Sequence, residues 1–135
     1  MTPEKLIELA KEAMTHADVP NSGYTVGAAR LCADGTVYQG CNFENAAYGP
    51  TNCAERTAFF KAVIDGQREF VAIAVGGGKD GIITGGFPPC GVCRQVMREF
   101  CDDDFIIYMV DENSYEARTL AEILPFSFSA GKHMN

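Results

Sequence analysis

The chain has 135 residues and a formal net charge of −7, with eleven Lys and Arg scattered among eighteen acids. A length of this order suits one domain that buries about two thirds of the surface its unfolded form exposes, so no covalent staple is required. The acidic balance argues against a polyanionic partner, because nucleic-acid binders carry a basic patch or stripe, and it favours a small ligand of little charge.

The opening residues, MTPEKLIELAKEAM, mix charges with apolar residues and hold no continuous hydrophobic run, so neither a secretory leader nor a membrane span is expected. A cytoplasmic location follows as an expectation. In that reducing compartment the six cysteines are expected as thiols, metal ligands or reactive groups rather than bridges. Thr2 reads as an N-cap and Pro3 as the first helical residue. Leu6, Leu9, Ala10, Ala13, Met14 and Ala17 then recur on one helical face.

YTVGAARLCA and TVYQGCNF, joined through Asp34-Gly35, read as a hairpin. A second helix is predicted from Cys53 to Ile64, stopping at Asp65-Gly66. VAIAV at 71–75 is apolar on both faces, as a strand covered on both sides must be. GGGKDGIITGGFPP, 76–89, reads as a long glycine-rich loop leading to a third helix over 91–100. FIIYMV at 105–110 is another doubly buried strand; a turn at 111–114 and the weaker segment YEART precede a short helix and the boundary at Pro125. This order predicts an α/β fold: one three-layer α/β/α domain over 1–135, with a mixed sheet of about five strands and helices on both faces. Both cysteine-bearing helix starts follow strands, which puts them at one edge of the sheet.

Cys53 opens one helix, and 37 residues later Cys90 and Cys93 form a C-x-x-C at the start of another. Two ligands three apart can share an ion from a first helical turn, and a third from a neighbouring helix completes a tripod. Three protein ligands leave a tetrahedral zinc one open position, the arrangement of a catalytic site. Three thiolates overbalance the dication and weaken it as an acid. Two helix N-termini and Arg56 are placed to offset that charge. Glu55, two residues beyond Cys53, is placed to move a proton between a water and a substrate.

Each feature also has a plainer reading. C-G-V-C alone fits a redox pair, and Glu55 with Arg56 alone fits a helix-surface ion pair. Cys32, Cys41 and Cys101 read as buried small hydrophobes, and His16 and His133 as solvated residues.

Taken together, Cys-Ala-Glu at 53–55 and Pro-Cys-Gly-Val-Cys at 89–93 resemble the zinc nucleoside and nucleobase deaminases of Cys₃ type. GCNFENAAY, NCAERTA, PCGVCRQV and ILPFSF narrow the resemblance to the small homotetrameric cytidine deaminases, over about Val19 to Phe128. The resemblance implies one Zn²⁺ per chain on Cys53, Cys90 and Cys93, Glu55 as the catalytic proton carrier, and Arg56 as charge compensation. It further implies that Asn42 and Glu44 bind the ribose, Glu44 through the 3′-hydroxyl, and that the Ala54 backbone meets the pyrimidine edge. Tyr24 would lie against the base, and Phe128 would close a neighbouring subunit's pocket; both also fit core aromatics.

The implied reaction is hydrolytic deamination of cytidine and 2′-deoxycytidine, serving pyrimidine salvage, with no nucleic-acid or membrane partner. A different nucleoside-like substrate on the same zinc site is the alternative. The chain departs from the family at Asn21, where a tyrosine is common, at Tyr24, where a phenylalanine is common, and in the glycine content of 76–89.

Overall fold

The computed structural model describes residues 1–83 and 85–134, apart from the side chains of Lys132 and His133. The expectation for His133 therefore lies outside the described residues. Helix α1 spans Pro3–Met14, with the Thr2 hydroxyl accepting from the Lys5 amide at 3.2 Å. It ends one turn before Ala17, because the chain must straighten at Asp18 to bridge to Phe43.

Strands β1 (Tyr24–Cys32) and β2 (Val37–Cys41) form the expected hairpin. Helix α2 (Ala54–Ile64), β3 (Phe70–Lys79), α3 (Gly91–Phe100), β4 (Ile106–Val110) and β5 (Tyr115–Thr119) follow, and the short α4 (Leu120–Ile123) and α5 (Ala130–His133) close the described chain. The sheet order is β2-β1-β3-β4-β5, antiparallel except for the parallel β3/β4 pair. A parallel pair needs a long crossover, and α3 supplies it.

Helix α1 covers one face of the sheet through Leu6, Ile7 and Ala10, packed with Ala29, Ala72 and Ala74. The opposite face carries α2 and α3, where Phe59 and Met97 pack with Ile73, Val75 and Ile107. Ala72 to Val75 of β3 thus alternate between the two cores, which explains why that run is apolar on both faces, while Val71 at its start is exposed. Both helices approach the sheet at glycines. A Cβ on Gly27 would lie 2.0 Å from the Ala10 carbonyl of α1, and one on Gly40 would lie 2.3 Å from the Ala54 carbonyl of α2. The second contact seats the first turn of α2, and with it Cys53, on β2.

The predicted loop over 76–89 needs correction. Gly76, Gly77 and Gly78 continue β3 and pair with Gly27, Val26 and Thr25 of β1. Glycine is required here by tertiary packing: a Cβ on Gly78 would sit 1.7 Å from the Ile82 carbonyl, so the returning chain folds directly over the strand.

One core residue is unexpected. Arg30 on β1 is fully buried, its guanidinium carbon 2.9 Å and 3.2 Å from the ring centroids of Phe59 and Phe70. Its Nη2 reaches the Cys101 sulfur at 3.9 Å, while Nε and Nη1 have no hydrogen-bond partner among the described residues.

Candidate metal centre and active site

Strands β2 and β3 run in the same direction, both antiparallel to β1, so their C-terminal ends meet at one edge of the sheet. Helices α2 and α3 begin just beyond that edge, with Cys53 and Cys90 as their N-caps in extended backbone conformation. A Ser, Thr, Asn or Asp at such a position would turn its oxygen onto the helix amides. Cys53 makes no side-chain cap bond, and its sulfur points instead at the other thiols.

The sulfurs of Cys53, Cys90 and Cys93 all lie within 4.8 Å of one another, the single such metal-capable cluster found among the described residues. Cys53 and Cys90 are 4.0 Å apart, and Cys90 and Cys93 are 3.4 Å apart. Arg56 Nη2 donates to the Cys53 sulfur at 3.3 Å. Hydrogen bonds from the Cys93 thiol and from Arg56 bring the Cys53 thiol down to about 5. Cys93 is pushed up instead, by its bond to Cys53 and by burial. Three sulfurs within reach of one ion and two helix N-termini form a donor set that fits a soft four-coordinate ion such as zinc, with three protein ligands and one position left for solvent or substrate. All six cysteines are free thiols, and Cys32, Cys41 and Cys101 are buried as expected.

Glu55, in the first turn of α2, is 3% exposed, so the surface-pair reading fails. Burial pushes its carboxyl up to about 7, within range of a proton carrier at neutral pH. Glu55 borders a cavity of about 210 Å³ together with Cys53, Cys90, Ala54, Asn42 and Glu44. A wider depression of about 610 Å³ lies over Arg98–Asp104, away from the sulfurs; it is open and crowded with carboxylates, and it offers no comparable convergence of groups.

Asn42 is held to β1 by two bonds: its Oδ1 accepts from the Val26 amide at 2.9 Å and its Nδ2 donates to the Tyr24 carbonyl at 2.9 Å. Glu44 accepts from the amides of Asn21 at 3.1 Å and Ser22 at 3.0 Å, and from the Ser22 hydroxyl. Tyr24 and Phe128 stand apart from this group. They are 48% and 55% exposed, neither lines the cavity of its own chain, and neither is a core aromatic. His16 is exposed, as expected.

Sequence reasoning missed Thr51, Asn52, Val26, Phe87 and Pro88, which complete the cavity wall. Asn52 was legible as the polar residue preceding Cys53. Its Nδ2 donates to the Thr57 hydroxyl at 3.2 Å, and that hydroxyl donates to the Cys53 carbonyl at 3.2 Å, bracing the ligand's backbone. Phe87 carried no local signal, since only its tertiary contact with Gly77 of β3 brings it to the site.

The model of the cytidine and deoxycytidylate deaminase zinc-binding region matches residues 1–109. A cytidine deaminase from Sporosarcina psychrophila is 51% identical over 130 residues, covering 96% of this chain and 93% of that protein. One from Halalkalibacterium halodurans is 47% identical over 131 residues, 96% of each chain. Among solved structures, cytidine deaminase from Burkholderia pseudomallei superposes with a TM-score of 0.88 at 44% identity, covering 95% of this chain and 100% of that one. With the family model spanning most of the chain, and its sulfur cluster and mixed sheet already in hand, this protein belongs to the cytidine and deoxycytidylate deaminase family of zinc-dependent hydrolases.

Proposed function

We propose that this protein hydrolyses free cytidine and 2′-deoxycytidine to uridine or 2′-deoxyuridine and ammonia, as a cytoplasmic enzyme of pyrimidine salvage in which residues 1–135 act as one domain. The observation that carries this reading is the convergence of the three thiols and the buried Glu55 carboxyl on one small cavity that also holds Asn42 and Glu44. Cys53, Cys90 and Cys93 would hold one Zn²⁺, which when bound supplies Lewis acidity that makes a water nucleophilic near neutral pH. As the water oxygen adds to C4 and the bond from C4 to the amino group breaks, Glu55 would take the first proton from the water to the ring nitrogen N3 and the second to the departing amino group, which leaves as ammonia. Arg56 offsets the charge of the thiolates through its bond to Cys53.

Asn42 and Glu44 receive the ribose, with Glu44 accepting from the 3′-hydroxyl, and the Ala54 backbone meets the pyrimidine edge. No assigned contact requires a 2′-hydroxyl, so both nucleosides fit. In this reading Tyr24 would lie against the base and Phe128 would close a neighbouring subunit's pocket, within a homotetramer. The exposure of the Phe128 ring supports the second placement. The net charge of −7 favours a free nucleoside over a nucleic-acid strand.

The test is turnover by zinc-loaded protein, followed as loss of absorbance in the cytosine band with release of ammonia. Cytidine and deoxycytidine should both react, and a single-stranded oligonucleotide should neither react nor compete. Absence of turnover of either nucleoside would sink the proposal. Sizing of the active species tests the tetramer, and an active monomer overturns the Phe128 placement.

A further inference from the structure

Glu44 is half-buried at the mouth of the cavity, and a carboxylate on a loop ordinarily samples several rotamers. Here three donors from one turn fix it. Oε1 accepts from the amides of Asn21 and Ser22, and Oε2 accepts from the Ser22 hydroxyl. The same Ser22 oxygen accepts from the Tyr24 amide at 3.0 Å, so the hydroxyl's single proton is directed at Glu44.

The turn is itself anchored. Gly23 donates to the Val19 carbonyl at 3.1 Å, and the Gly23 carbonyl accepts from the Asp80 amide at 2.8 Å. Gly23 has φ of +75°, a conformation that lets the chain reverse immediately after Ser22. From its other side the turn leads into Tyr24, whose carbonyl holds the Asn42 amide group. Both polar groups at the cavity mouth are thus tied to one short stretch of chain ahead of β1.

We infer that Ser22 is a positioning residue for nucleoside binding, acting through Glu44: its hydroxyl holds the carboxylate so that the remaining lone pair on Oε2 faces a ligand hydroxyl. This rests on the proposed role of Glu44 toward the 3′-hydroxyl. The side chain of Asn21 takes no part, because the bond to Glu44 comes from its backbone, so the departure from tyrosine at this position leaves the clamp whole. The Glu44 carboxyl is held below its ordinary value, chiefly by the Ser22 hydroxyl.

The test is steady-state kinetics of Ser22→Ala, with cytidine and with 3′-deoxycytidine. On cytidine KM should rise about ten-fold, the size of one hydrogen bond to a charged group, with kcat within about two-fold of the parent. On 3′-deoxycytidine the parent and Ser22→Ala should agree within about two-fold, because Glu44 then has no hydroxyl to receive. Adding Ser22→Ala to Glu44→Gln should likewise change KM by less than about two-fold. Ser22→Thr keeps the hydroxyl and should restore the parent KM, while Ser22→Gly should behave as the alanine variant and replaces it if that variant does not fold.

An unchanged KM in Ser22→Ala or Ser22→Gly overturns the inference. So does a KM penalty that persists in full on 3′-deoxycytidine or in the Glu44→Gln background, since that marks a general structural role. Failure of the parent to turn over cytidine at all is a different result, and it removes the underlying functional reading instead.

Discussion

Arg30→Met should make the protein more stable. The guanidinium is fully buried between Phe59 and Phe70, with two of its nitrogens unpartnered among the described residues. Burial lowers it well below the usual arginine value, to about 9. At roughly 1.4 kcal/mol per pH unit, a fall of that size is a penalty of about 5 kcal/mol on the charged form. Two desolvated cation–ring contacts return about 2 kcal/mol each. The charge is left in deficit by about 1 kcal/mol, before a methionine adds its own apolar burial in the same slot. A gain of about 1–4 kcal/mol is therefore expected, comparable to the stabilising cases in which a buried ion pair gives way to well-packed hydrophobes.

The pH dependence provides an internal check. The folded value lies below the unfolded one, so the penalty is whole below about pH 9 and shrinks as pH climbs from there toward the usual arginine value. The stability gap between variant and parent should hold constant near neutrality and narrow above about pH 9. Urea unfolding at pH 7 and pH 10 measures both. A methionine variant less stable than its parent by more than about 1 kcal/mol would mean that the ring contacts outweigh desolvation, and a gap that widens with pH would refute the sign of the argument.

Other consequences are open to direct measurement. Glu55→Gln should retain its zinc while losing about 10²–10⁴ in rate, read from metal per chain and cytidine turnover; a variant within ten-fold of the parent would remove Glu55 from proton transfer. Arg56→Gln deletes the 3.3 Å donor to Cys53, so chelator competition should show zinc held about 10–100-fold more weakly. Gly40→Ala forces a methyl to within 2.3 Å of the Ala54 carbonyl and should cost about 3 kcal/mol or more, with loss of metal as α2 lifts; a soluble, zinc-replete variant of unchanged melting temperature would contradict the seating of α2 on β2.

Much of the site was legible because metal chemistry leaves short, local marks. Cys53 and the Cys90/Cys93 pair stand at helix starts, and the second start is announced by Pro89 and by the onset of helical periodicity. The α3 boundaries at Gly91 and Phe100 were readable for the same reason. What escaped was decided by tertiary contact. Gly76 to Gly78 have a loop's composition, yet they form strand because Ile82 and Phe87 return over them. Arg30 interrupts an apolar strand pattern with nothing nearby in sequence to show that Phe59 and Phe70 enclose it. The bond between Ser22 and Glu44 spans 22 residues, and no periodicity connects its ends. Tyr24 and Phe128 also lie beyond local reasoning, since in one chain both rings face outward.

The sulfur triangle joins segments of chain 37 residues apart, through the first turns of two helices that share one face of the sheet. An ion gripped there is a cross-link as well as a reagent. It closes a long loop that the denatured chain would leave open, and it binds the native arrangement in preference to the denatured one. By mass action, free metal at a hundred times its dissociation constant would add about 2.7 kcal/mol to the folding free energy. Metal supply would then govern how much of this protein survives heat or proteolysis, and scarcity would deplete the enzyme itself along with its turnover.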